Sequence, residues 1–149
     1  MGEVRVTVLL RNYGSLWAAK NGYIPANKIQ SSELNMLVDT GAVLILLPQD
    51  EVEKLGLEAF KKVIVTYADE RREERWVASG VEVTIGDRSM VTDCIIGPPL
   101  CEPLIGQIVL EELDLVIDPS RKTLSPRPES PNLPLLKLKG STWISGVIS

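Results

Sequence analysis

Residues Leu37-Val38-Asp39-Thr40-Gly41-Ala42 run an apolar strand into an Asp-Thr-Gly tripeptide that occurs once in the chain. A carboxylate held on a glycine-assisted turn at a strand end can accept a proton when ionised and donate one when protonated. The sequence contains no histidine. That removes Ser-His-Asp and Cys-His catalysis, histidine-ligated zinc and imidazole bases together. Acid and base work therefore falls to carboxylates. Asp-Thr-Gly also serves as an Asx-type turn between strands, so its meaning depends on its surroundings. A second segment, Pro103-Leu104-Ile105-Gly106-Gln107-Ile108-Val109-Leu110-Glu111-Glu112-Leu113-Asp114-Leu115-Val116-Ile117-Asp118-Pro119, carries an apolar strand end, a glycine and a helical stretch.

The elements that must position Asp39 follow from hydrophobic period and turn residues. Glu3 to Leu10 alternates Val4, Val6 and Val8 with polar residues, a half-buried strand. Residues 11 to 30, with Asn21-Gly22 and Pro25, read as an excursion carrying a helical turn around Leu16 to Lys20. A strand from about Glu33 to Val38 delivers Asp39. Val43 to Leu47 is continuously apolar and so buried on both faces. Pro48 opens a short helix whose first turn holds Asp50 and Glu51, whose inner face is Val52 and Leu55, and which Gly56 ends. Lys62 to Ala68 and Arg75 to Ile85 form a hairpin around the tip Asp69-Glu70-Arg71-Arg72-Glu73-Glu74. Gly86-Asp87 turns into a strand from Met90 to Ile96, closed by Pro98-Pro99. Val109, Leu110 and Leu113 fall at helical spacing, and a last hairpin pairs Leu115 to Ile117 with Thr123 to Ser125. Short strands with two or three short helices indicate an all-β, barrel-like domain. From Pro126 onward, Pro128, Pro131 and Pro134 make an extended arm, and Lys137 to Ile144 is able to add an edge strand.

The chain's 149 residues suit one domain. Hydrophobic content of 44% is that of a globular chain. No apolar run is long enough to span a bilayer, and the first residues lack the basic-then-apolar order of a secretory signal, so a cytoplasmic address is expected. A net charge of −4 and a pI near 4.9 argue against nucleic acid. Cys94 and Cys101 have neither zinc nor redox spacing and are expected as free thiols. Nucleotide-binding glycine motifs are absent; no metal or other cofactor is implied. Trp17, Trp76 and Trp143 are too scattered for a stacking platform and are expected to pack in the core or an interface.

Together the Asp-Thr-Gly and Leu104-Ile105-Gly106 segments resemble the retropepsin-like aspartic proteases, and the long Glu-Glu-Leu-Asp-Leu-Val-Ile-Asp-Pro stretch resembles cellular members of that clan from bacteria and archaea. The resemblance covers roughly residues 31 to 131. It implies an acid-protease barrel half over residues 1–126, with 127–149 as a C-terminal arm and possible interface strand. It implies catalysis by Asp39, Thr40 and Gly41, and a peptide groove containing Ala42, Val43, Tyr67, Ala68, Asp69 and Ile105. Two-lobed pepsin-type enzymes carry both catalytic aspartates in one chain. A chain with one copy must borrow the other, so the resemblance implies a homodimer acting on a peptide or protein. The rival expectation keeps this fold as a dimeric peptide- or protein-binding module with little or no turnover.

The sequence departs from the viral pattern at two places. Viral retropepsins usually place an acidic residue after Asp-Thr-Gly-Ala and an arginine after Ile-Gly, and the two pair. Here those positions hold Val43 and Gln107, so both partners are replaced and no buried charge is stranded. Viral flaps are glycine-rich, whereas this hairpin tip is charged from residue 69 to 74 and has no glycine.

Overall fold

Valines and leucines on one face of the first strand meet those of the second, and this pair seeds the sheet. The computed structural model describes residues 3–138. Strand β1 (Arg5–Asn12) lies antiparallel to β2 (Ser31–Val38), from Arg5 opposite Leu37 to Arg11 opposite Ser31. Val8, Leu10 and Met36 are fully buried. The connection holds α1 (Tyr13–Lys20), longer than the turn expected from sequence. Asn12 explains its start: the side-chain oxygen accepts the Ser15 N–H at 3.0 Å, an N-cap that precedes the helix.

After β2 come β3 (Ile45–Pro48), α2 (Gln49–Lys54), β4 (Ala59–Thr66), β5 (Arg72–Ile85) and β6 (Arg88–Gly97). Then follow β7 (Leu104–Ile105), α3 (Gln107–Leu113), β8 (Leu115–Asp118) and β9 (Thr123–Pro126). Pro48 caps α2 rather than starting it. The main sheet runs β1-β2-β7-β3-β6-β5-β4, and a further β1–β5 pairing closes it on itself, leaving β4 attached to β5 alone. Gly80, at φ +81°, lies in the irregularity between Ala78 and Val81. The bulge bends β5, so that its first half pairs with β4 and its second half with β1.

Two-residue β7 matters most for the site. It inserts between β2 and β3, parallel to the first and antiparallel to the second, with Val38 opposite Ile105 and Leu46 opposite Leu104. Ile45, Leu47, Ile105, Val109 and Leu113 join Met36 and Leu10 in one buried cluster.

The β8–β9 hairpin stands where the hydrophobic period places it, but both strands of the β4–β5 hairpin start three residues earlier than expected, so the bend falls at 67–71 and Arg72, Glu73 and Glu74 pair within the ladder. Both cysteines are free, Cys94 buried and Cys101 half-buried. Burial pushes the Cys94 thiol up to about 12. Trp17 and Trp76 are not core residues: both are about half exposed. Trp17 stacks on Tyr23, and Trp76 lies under the Lys62 ammonium. Trp143 and the strand-forming stretch beyond Leu138 lie outside the described residues. No helix among the described residues is long and apolar enough to cross a membrane.

Candidate active site

Asp39 sits at the end of β2, half-buried, where the chain turns toward β3. Its backbone N–H donates to the Ile105 carbonyl at 2.9 Å, and its carbonyl accepts the Ala42 N–H at 3.1 Å. The carboxylate accepts the Gly41 N–H at 3.0 Å. One oxygen is thereby held by the backbone, which fixes the rotamer of a short side chain. A Cβ on Gly41 would meet the same oxygen at 3.3 Å, a tight contact on the group being presented.

The turn is also supported from behind. The first two N–H groups of α3, from Gln107 and Ile108, donate to the carbonyls of Ala42 at 2.7 Å and Val43 at 3.1 Å. These are helix-end donors that have no intrahelical acceptor. Gly106 makes this approach possible: a Cβ there would lie 2.6 Å from the Leu44 carbonyl oxygen, 2.7 Å from that of Val43 and 2.9 Å from that of Ala42. Its φ of −98° is open to any residue, so close approach alone demands glycine.

Thr40 and Gly41 are exposed, Ala42 is half-buried and Val43 is 65% exposed. Asp39 and Thr40 border a concavity of about 330 Å³ shared with Glu3, Val4, Ile117 and Pro119. The first strand's entry and the β8–β9 hairpin therefore flank the turn. Sequence pattern did not reveal that, because a hairpin's period says nothing of which distant turn it lies beside.

Ile105 departs from the expected groove position. It has no exposed surface and packs in the core, while its neighbour Leu104 is half-buried. Successive strand residues face opposite sides, so the residue turned out of the core on β7 is Leu104. The Val43 and Gln107 positions are not paired: the Val43 carbonyl accepts from Ile108, the Gln107 N–H donates to Ala42, and the Gln107 side chain donates to Glu111 at 3.3 Å.

Tyr67, Ala68 and Asp69 lie at the bend of the β4–β5 hairpin, away from the Asp-Thr-Gly turn in sequence and in the sheet order. The bend closes by a Tyr67 N–H to Arg71 carbonyl bond at 2.9 Å, with Glu70 at φ +65° taking the place glycine usually fills. Asp69 accepts the Arg71 N–H at 3.1 Å. The Arg71 guanidinium lies 4.7 Å from the Tyr67 ring centroid. Tyr67 above all, with Arg75 and Arg71, lowers the Glu73 carboxyl below its ordinary value. Thus side-chain contacts, not glycines, shape this tip. Among the described residues no group of three or more Cys, Asp and Glu is placed to hold a metal ion.

A family model described as aspartyl protease matches residues 26–120. No curated protein matches the sequence. Among solved structures, the chain is similar to EIAV protease complexed with the inhibitor HBY-793, with a TM-score of 0.51 and 16% identity over 75% of this chain and 88% of that one. The two share an all-β fold, the retropepsin-like barrel half, with few short helices.

Proposed function

Because this chain belongs to the aspartyl protease family, we propose that it is an aspartic endopeptidase that works as a homodimer, each protomer supplying one Asp39. Two such carboxylates brought together cannot both ionise readily, so they share a proton and titrate as a pair. The ionised member takes a proton from water, and that water attacks the peptide carbonyl carbon. The protonated member donates to the carbonyl oxygen as the tetrahedral centre forms. Collapse of that centre breaks the C–N bond, with the proton passing to the leaving amine. Thr40 braces the turn across the dyad, Gly41 fixes the carboxylate, and Ala42, Val43, Leu104 and the Tyr67–Asp69 bend border the peptide.

The observation that carries this reading is the turn itself: a single half-buried Asp39, tied to β7 and to the first N–H groups of α3. The test is cleavage of a denatured protein at mildly acidic pH by the wild-type chain and by Asp39→Asn. Loss of at least about a thousandfold is expected for the variant. Refolding the two together should give activity that falls as the square of the wild-type fraction, because only wild-type pairs hold two carboxyl groups. Equal activity in both homogeneous samples sinks the reading, and a linear fall sinks the shared site.

Exposed Val43 and the charged hairpin favour a second reading, a dimer of this fold that holds a peptide without turning it over. A statine-type transition-state mimic separates the two, since a competent dyad binds it far more tightly than the matching peptide.

A further inference from the structure

At the far end of α3 from the catalytic turn lies a polar cluster that the chemistry above does not use. Arg88, at the start of β6, is 4% exposed. One of its terminal nitrogens donates to the carbonyls of Leu113 at 2.8 Å and Asp114 at 3.0 Å, and the other donates to the carbonyl of Ser130. Asp114 is itself 6% exposed and stands in the left-handed region at φ +58°, ending the helix. Its carboxylate accepts from the Arg127 guanidinium, from the Ser130 hydroxyl and, at 2.9 Å, from the Leu135 N–H. A buried guanidinium closes the helix's last carbonyls, and a buried carboxylate gathers three donors from the segment after β9. Burying two charges is costly unless each is fully engaged. Here the Asp114 carboxylate and both terminal nitrogens of Arg88 fasten one helix end, while the buried Arg88 Nε has no partner among the described residues.

The other end of that helix meets the Asp-Thr-Gly turn. Gln107 and Ile108 donate to Ala42 and Val43, and Gly106 seats against three carbonyls there. The helix is about 10 Å long and packs through buried Val109, Leu110 and Leu113. A short, hydrogen-bonded rod held at both ends transmits a shift at one end to the other. Carboxyl groups that must share a proton across a dyad tolerate little displacement, since misplacement of about 1 Å can cost on the order of a hundredfold in rate.

We propose that Arg88 and Asp114 are positioning residues for Asp39, acting through α3, and that residues 127–135 belong to the catalytic unit rather than to a dispensable tail. The proposal rests on the peptidase reading for its kinetic consequence but not for its structural one. The experiment is therefore run on the full chain in two arms. In the first, amide hydrogen exchange is compared between wild type and Asp114→Asn. Exchange at Gln107 and Ile108 should quicken by about tenfold, while amides of the β5–β6 ladder keep wild-type protection. In the second, kcat on a peptide substrate should fall with KM unchanged, as expected when only transition-state alignment suffers.

Ser130→Ala removes one of the three donors and should move both readouts in the same direction by less; it also serves if Asp114→Asn does not fold. Unchanged exchange at Gln107 and Ile108, or quickening spread evenly over the ladder, overturns the proposal. A wild-type chain that cleaves nothing overturns the peptidase reading instead, and the exchange arm still decides the linkage.

Discussion

Gly106 and Ile105 are adjacent and answer to different forces. Any side chain at 106 would collide with backbone carbonyls of the Asp-Thr-Gly turn and the residues after it, and backbone cannot swing aside as a flexible side chain can. Gly106→Ala should destabilise the fold by roughly 1–3 kcal/mol and lower activity further by pushing the turn forward; chemical denaturation beside peptide cleavage separates the two losses. Ile105 is wholly buried, so Ile105→Ala should cost about 2–5 kcal/mol with little change in KM per folded molecule. Leu104→Ala should reverse that pattern, sparing stability and raising KM. Asp39 was legible in the sequence because its turn residues are local. The face of Ile105 was not, because a two-residue strand has no alternation to read and a one-residue slip exchanges core for surface.

Within the seven-stranded sheet, the β4–β5 hairpin carries the strand with fewest neighbours. Its outer strand bonds only to β5, and its bend depends on Tyr67, Asp69 and Arg71 in place of glycines. Arg75 holds Glu73 at 3.4 Å. Tyr67→Phe should leave folding stability unchanged within error, raise KM for a peptide more than it alters kcat, and return the Glu73 carboxyl upward toward its ordinary value in an NMR titration. The hairpin was readable from its alternation and charged tip. The Glu73–Arg75 pair was not, because the strand period says which residues share a face of β5 but not which of them bond. Helix α1 illustrates the same limit: its apolar side is narrow, with only Leu16 buried, so a cap and neighbouring packing make a helix that periodicity barely signals. Asp114 stood unremarked in an apolar run, since a left-handed helix end is usually advertised by glycine.

For the whole molecule, the clamp at Asp114 sets the response to acid. Its carboxyl is held well below the usual carboxylate value, chiefly by the Arg127 guanidinium, then by Ser130 and the Leu135 N–H. A depressed folded-state pKa contributes stability that is complete above the unfolded value, near 3.8, and is lost as pH falls through the lower folded one. The stability gap between wild type and Asp114→Asn should therefore be constant from neutral pH to about pH 5 and narrow below about pH 4. Denaturant melts across that range measure it, and a gap that narrows already near neutrality contradicts the assignment. Mildly acidic conditions, where a shared-proton dyad works, thus leave the clamp intact. The insertion of β7 between β2 and β3 carries a further consequence, for the order of assembly. The strand that ends in Asp39 has no neighbour on that side until residues 104–105 arrive, and β1 closes the barrel only by reaching β5 at residues 81–84. During synthesis the first hundred or so residues can pair and collapse, but the turn bearing the carboxylate stays unsupported until nearly all of the barrel has emerged. Such dependence on distant pairings makes folding slow, on the order of milliseconds to seconds. It also ensures that no partly made chain presents a finished Asp39 turn.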